Sequence, residues 1–228
     1  MKARLIDSKD LAPGIRHFEF ETADTGEFSF VPGQFLSLKH VVEGKEVTRA
    51  YSIASAPGAN RFDLCLNLVP HGIFSAYLFT LRAGAEIEFG PPLGYFTLRN
   101  PARAALFIAT GTGIAPFRSM VLSHLGSLKT KVSLLFGTRH EEAILYRAEF
   151  EELTQKFAHF DYWPTLTRAT AAWQGRTGRV QAHLDEALAG RKDLDIYLCG
   201  LKEMVDDVRV RLKEKGYDRK QIIYEKYD

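Results

Sequence analysis

Three short segments carry residue types suited to phosphates and flat rings. Arg49-Ala50-Tyr51-Ser52-Ile53-Ala54-Ser55 reads as a loop between strands. A guanidinium can clamp a diphosphate through charge-assisted hydrogen bonds. Tyr51 adds a flat face and a hydroxyl. His71-Gly72-Ile73-Phe74-Ser75 opens a lone helical patch, whose N-terminus could take another phosphate oxygen. Two phosphate-competent loops in one β region suggest a dinucleotide there. The third segment is Ile108-Ala109-Thr110-Gly111-Thr112-Gly113-Ile114-Ala115-Pro116, a strand, a glycine turn and a helix start. Gly111 and Gly113 allow a tight turn and close approach of a ligand to backbone. Pro116 suits a first helical turn, and that helix end would face a phosphate with its free N–H groups. A surface arginine beside a strand tyrosine, and an ordinary βα turn, would give the same local spacings.

These segments need elements to position them. From Ala3 to Leu98 the pattern is short and β-like. Arg61 to Leu68 alternates, which predicts Phe62, Leu64, Leu66 and Leu68 on one face. Ile15–Phe20 and Gln34–Lys39 read as strands, and Val41 to Val47 as a hairpin in which Gly44 is free to take φ > 0. Pro-Gly pairs at 13–14, 32–33 and 57–58 punctuate the region. This predicts a small antiparallel barrel or sandwich. The helical patch between Gly72 and Gly84 should put Ile73, Tyr77, Leu78 and Leu81 on one face.

After Asn100-Pro101 the rhythm changes. Apolar strands at Ala104–Ala109, Val132–Phe136, Phe160–Leu166 and Leu194–Leu198 alternate with helical stretches near Pro116–Leu125, Glu142–Phe157, Val180–Leu188 and Met204–Lys215. Gln221–Glu225 closes the series. That alternation marks a parallel sheet covered on both faces. The boundary falls near residues 99–103. The fold expected is two-domain, an antiparallel β-barrel over 1–99 followed by an α/β parallel-sheet domain over 100–228.

Composition excludes several classes. Thirty basic against 28 acidic residues leave +2, too little for a clustered nucleic-acid-binding face. Two cysteines, Cys65 and Cys199, cannot build a disulfide scaffold, a four-cysteine zinc site or a four-cysteine iron–sulfur site. No apolar run approaches the roughly 20 residues of a membrane span, and the N-terminus lacks a signal core. A reducing, cytoplasmic setting is expected, with no metal and no nucleic acid.

With these segments placed, the chain resembles the ferredoxin–NADP⁺ reductase family, in particular its short bacterial ferredoxin/flavodoxin reductases. The resemblance runs along essentially the whole chain, with the motifs in family order. It implies a barrel that binds FAD and an α/β domain that binds NADP. Arg49-Ala50-Tyr51-Ser52 is similar to the family's R-x-Y-S flavin motif. In that pattern Arg49 holds the diphosphate, Tyr51 lies on a flavin face and Ser52 points at flavin N5. Leu66-Asn67-Leu68 would lay backbone along the flavin. Ile73-Phe74-Ser75 matches the second FAD-phosphate segment, and Thr112 the threonine that touches the flavin. Gly111-Thr112-Gly113 resembles the loop under the pyridine-nucleotide diphosphate. Thr138-Arg139, Thr167-Arg168 and Arg179 match positions that grip the adenosine 2′-phosphate, which favours NADPH over NADH. Cys199-Gly200, followed by Met204, resembles the C-G-x-x-x-M segment beside the nicotinamide. The tail resembles E-x-Y, with Glu225 near the nicotinamide and Tyr227 stacked on the flavin as a gate. Ser52, Cys199 and Glu225 would orient and polarise, without a general acid or base. Leu201 departs from the family's usual proline, and Asp228 from a terminal aromatic.

The activity implied is hydride transfer between NADPH and FAD, and single-electron exchange between FAD and a carrier. With no fused iron–sulfur domain, that carrier would be a separate ferredoxin or flavodoxin, and the enzyme a monomer. An NADH-dependent reductase component of an oxygenase and a non-catalytic flavin-binding module are the competing readings.

Overall fold

The computed structural model describes residues 1–22, 28–42 and 44–227. Glu43 of the expected hairpin and the terminal Asp228 lie outside them. Contacts divide the chain into two compact units, Met1–Leu98 with Ala115–Ser123, and Arg99–Ile114 with His124–Asp228.

The first unit holds β1 (Lys2–Ala12), β2 (Ile15–Thr22), β3 (Phe35–Val42), β4 (Lys45–Ser52), β5 (Arg61–Asn67), α1 (Ile73–Thr80) and β6 (Glu86–Phe89). Among the described residues these strands pair antiparallel throughout, in the order β4-β3-β6-β1-β2-β5. An antiparallel bridge from Ile53, just past β4, to Leu64 of β5 joins the two outer strands into a barrel. Irregularities in β1 between Leu5 and Asp7 and between Asp10 and Ala12 bend that long strand, as bulges do. Alternation sends Phe18, Phe20, Phe62, Leu64 and Phe89 inward, where Phe20 stacks on Phe62 with ring centroids 5.3 Å apart.

Three local expectations differ from the fold. Arg49 to Ser52 form the end of β4, not a loop. Leu68 falls beyond β5 and is exposed, because the chain leaves the sheet at Asn67. In α1 the inward stripe is Phe74, Leu78 and Leu81, while Ile73 is exposed. The spacing of four and three places Phe74, Leu78 and the C-cap residue Leu81 on one face, and the first-turn isoleucine stays outside it.

The second unit carries β7 (Ala104–Thr110), a 3₁₀ turn (Gly111–Ile114), β8 (Val132–Thr138), α3 (Arg147–Lys156), β9 (Phe160–Leu166), β10 (Arg176–Thr177), α4 (Leu184–Leu188), β11 (Leu194–Leu201), α5 (Lys202–Glu214) and β12 (Ile222–Tyr227). Helix α2 (Ala115–His124) follows the 3₁₀ turn directly, and its residues through Ser123 cluster with the first unit. The sheet is parallel throughout, in the order β10-β9-β8-β7-β11-β12. Strands β7, β8 and β11 are almost wholly buried, which explains their unbroken apolar runs. Helix α3 lies against β9, and α5 against β11 and β12.

The helix expected over Glu142–Phe157 is interrupted. A 3₁₀ turn covers Glu141–Ala143, Tyr146 adopts φ +55°, and α3 starts at Arg147. The buried side chains of Ile144 and Leu145 pin the break, so the continuous helical pattern cannot run through it. Among the described residues no helix is long and apolar enough to cross a membrane.

Candidate functional site

In the first unit the β4 end and the α1 start each present chemistry. Arg49 pairs with Leu38 across the sheet, is exposed, and donates from Nη1 to the neighbouring Thr48 carbonyl at 2.9 Å. Ala50 is also exposed. Tyr51, two residues on and therefore on the same strand face as Arg49, is half-buried with its ring 6.0 Å from Phe74. Burial pushes its hydroxyl up to about 12, so it remains a neutral phenol. Ser52 is buried. On β5, Leu66 is buried and Asn67 exposed, and the Leu68 amide donates to Gly14 O at 2.8 Å.

The N-terminus of α1 has no side-chain cap. Its N-cap residue, Gly72, has no room for one. A Cβ there would lie 2.8 Å from Val69 Cβ and 3.0 Å from Val69 O. The Ser75 hydroxyl is occupied in holding this turn, accepting from Val69 N at 3.0 Å and donating to Gly72 O at 3.4 Å. Phe74 is buried beneath it. The helix end is thereby left to an external acceptor, as an anion site requires.

In the second unit the strand order reverses between β7 and β11, since β8, β9 and β10 extend one way and β12 the other. Ligands of open α/β sheets bind outside the carboxyl ends at such a point. Two predicted segments meet there. A Cβ on Gly113 would lie 2.4 Å from the Cys199 carbonyl oxygen and 2.7 Å from Gly200 Cα. A Cβ on Gly200, at φ +141°, would lie 2.2 Å from Thr110 Oγ1. The glycine turn thus sits directly on the end of β11. The second glycine is needed for that seat, whereas Gly111, at φ +54° with open space around it, is needed for the turn itself. Thr112 is half-buried beside them. Thr110, which sequence reasoning passed over, locks the seat by accepting the Leu201 amide at 3.2 Å.

The parallel register of β11 and β12 pairs Cys199 with Glu225 and Leu201 with Tyr227. Alternation puts Cys199, Glu225 and Tyr227 on one sheet face. Burial, and then the Glu225 charge, push the Cys199 thiol well above its usual range, against a hydrogen bond from Tyr227. Cys199 is therefore no thiolate nucleophile. Burial alone pushes the Glu225 carboxyl up to about 7.

Two of the three predicted arginines are brought together. Arg168 N donates to Arg139 O at 2.8 Å, and Thr167 N to Thr138 O at 3.0 Å, at the carboxyl ends of β9 and β8. Arg179 follows β10, where the Gly178 amide bonds Leu166 O at 2.8 Å. All three arginines are exposed, and no described carboxylate pairs with them. The nearby Arg147 and Arg176, by contrast, are taken by Glu141, Glu151 and Glu186.

Comparison with known proteins finds two families along the chain. Residues 2–98 match the oxidoreductase FAD-binding domain family, and residues 107–210 the oxidoreductase NAD-binding domain family. The chain is 42% identical to ferredoxin–NADP reductase B of Sorangium cellulosum over 238 aligned positions, covering all of this chain and 97% of that protein. It is 30% identical to the anthranilate 1,2-dioxygenase electron transfer component of Acinetobacter baylyi, covering 88% of this chain but 59% of that longer protein. A ferredoxin NADP⁺ reductase from Neisseria gonorrhoeae, solved with bound FAD and NADP, shares the fold at TM-score 0.87 and 23% identity, covering 99% of this chain and 98% of that one. Fold and matches together define a two-domain oxidoreductase of the FAD- and NAD-binding class. Within that class, the chain belongs to the ferredoxin–NADP⁺ reductase family.

Proposed function

We propose that this protein is an FAD-dependent ferredoxin–NADP⁺ reductase, with FAD on the barrel and NADP(H) on the parallel sheet. The observation that carries this reading is the glycine turn seated on Cys199–Gly200 at the switch point, with Arg139 and Arg168 side by side on the next strands. Bound FAD supplies the chemistry the side chains lack, exchanging a hydride with nicotinamide and single electrons with a carrier. The residues fit it. The uncapped end of α1, at Ile73-Phe74-Ser75, and the exposed Arg49 guanidinium suit a diphosphate, and Tyr51 offers a neutral aromatic face beside the buried Ser52. Leu66 and Asn67 at the end of β5, with Leu68 just past it, add backbone for the flavin to lie along.

The sheet's residues hold and orient the nucleotide. Gly111, Thr112 and Gly113 bring backbone up to its diphosphate, and Thr138-Arg139, Thr167-Arg168 and Arg179 take the 2′-phosphate. Glu225 sets a carboxyl beside the nicotinamide ring, backed by the buried neutral thiol of Cys199 and the Tyr227 phenol that hydrogen-bonds it. The electron carrier is a ferredoxin or flavodoxin in the cytoplasm, where Cys65 and Cys199 stay free thiols.

Glu225 sets a pH dependence. Loss of hydride from NADPH leaves positive charge on the ring, which a carboxylate stabilises and a neutral carboxyl does not. The rate of flavin reduction is expected to rise about tenfold as pH passes upward through about 7. Glu225→Gln should flatten the profile at the low-pH level. A profile unchanged by that substitution removes Glu225 from the site. The stability sign is opposite. The folded state binds the extra proton between the ordinary carboxyl value of 4.5 and about 7, so stability from this group falls as pH rises through that window.

The reading is tested by reconstitution with FAD, anaerobic mixing with NADPH and with NADH, and turnover with purified carriers. A yellow protein bleached preferentially by NADPH supports it. Protein that stays colourless with added FAD overturns it.

A further inference from the structure

One buried ionic cluster has no part in the chemistry above. Arg118 of α2 has a side chain 13% exposed and is the one charge in the buried run Ala115-Pro-Phe-Arg-Ser-Met-Val. Its Nη1 donates to Ala54 O at 2.9 Å and to Asp63 Oδ2 at 3.0 Å. Behind Asp63 lies His17, 2% exposed, with Nε2 3.6 Å from Asp63 Oδ2 and 3.4 Å from Glu19 Oε1. Burial, reinforced by the Arg118 and Lys9 charges, pushes the imidazole down to about 4. At neutral pH His17 is uncharged, and Arg118 carries the charge that faces Asp63.

The backbone this cluster grips is the exit of β4. Ile53 N donates to Gln34 O at 3.0 Å, Ala54 N to Asp63 O at 2.8 Å, and Asp63 N to Ser55 Oγ at 3.0 Å. Ala54 is fully buried, so its carbonyl needs a protein donor, and Arg118 provides one. Two residues upstream is Ser52, and three upstream Tyr51. A shift of the strand exit would displace both, and misplacement of about 1 Å is enough to slow a positioned reaction severely.

We propose that Arg118 is a positioning residue. Through Ala54 O and Asp63 it fixes the strand exit and hence the pose in which Tyr51 and Ser52 meet the flavin. The inference rests on the proposed FAD site. Its alternative is a purely structural ion pair, which would affect stability alone.

The test compares the wild-type holoprotein with Arg118→Met, Arg118→Lys and Asp63→Asn. Lys131→Met, which removes the Lys131–Asp161 pair in the parallel sheet, serves as an ion-pair control. The readouts are FAD affinity, the visible circular dichroism of bound flavin, the rate of reduction by NADPH, KM for NADPH and melting temperature. Arg118→Met should weaken FAD binding at least about tenfold, alter the flavin dichroism and slow reduction, with KM for NADPH unchanged. Arg118→Lys should recover part of each, and Asp63→Asn should resemble Arg118→Met. Lys131→Met should change melting temperature only. If Arg118→Met does not fold, the Lys and Asn variants decide by the same readouts. Folded variants with wild-type flavin dichroism, FAD affinity and reduction rate would overturn the inference while leaving the FAD site standing. Wild-type protein that binds no FAD would overturn both.

Discussion

Replacing Arg139 and Arg168 together by alanine should raise KM for NADPH by about a hundredfold or more and leave NADH kinetics within about twofold. A 2′-phosphate carries nearly two negative charges and three acceptor oxygens, and hydrogen bonds to charged groups contribute about 1.5–3 kcal/mol each. NADH lacks that group and loses nothing. The two guanidinium groups start from backbones joined by the Arg168 N to Arg139 O bond, and neither is engaged by a described carboxylate. Either one can therefore turn toward the same phosphate, and the double substitution should exceed each single one. Steady-state kinetics with both nucleotides read the outcome. Unchanged NADPH affinity would remove the phosphate from this edge of the sheet.

Gly113→Ala should abolish most nucleotide-dependent reduction, by about a hundredfold or more, while the barrel keeps its FAD. The new methyl would start 2.4 Å from the Cys199 carbonyl, which is backbone and cannot rotate aside. The turn must lift from β11, and the nucleotide diphosphate would lose its cradle. Gly200→Ala meets Thr110 from the other side and adds strain at φ +141°, so it should lower the melting temperature as well. Gly111→Ala has open space and only an unfavourable φ of +54°, which costs about 1 kcal/mol. It should retain far more activity than Gly113→Ala. Stopped-flow reduction beside calorimetry separates the three. Wild-type reduction by Gly113→Ala would mean the seat on β11 does not position the nucleotide.

Much of the candidate site was legible because its signals are local. The 104–110 run, the Gly111-Thr112-Gly113 turn and Pro116 in the first turn of α2 all follow from apolar burial and backbone sterics within a few residues. The same rules misplaced Arg49–Ser52 in a loop, because a strand that ends in Arg-x-Tyr-Ser alternates too weakly to announce itself. They placed Ile73 on the inward face of α1, where Phe74 stands instead. Arg118 went unread although a lone charge in the mostly apolar run 115–121 was the available signal. Its partners Ala54 and Asp63 lie more than 50 residues away.

Taken alone, the amino-acid order determined the two rhythms, a barrel and then a parallel α/β sheet, and the residue types able to meet phosphate and ring. Those properties depend on hydrophobic period and short-range sterics, which any stretch of chain carries within itself. Only the tertiary structure decided that β7 and β11 are neighbours, that Gly113 rests on Cys199, that Thr138-Arg139 lies beside Thr167-Arg168, and that α2 reaches Ala54 through Arg118. Strand order and register are set by contacts between segments distant in the chain, where many pairings satisfy the same local pattern and only mutual packing selects one.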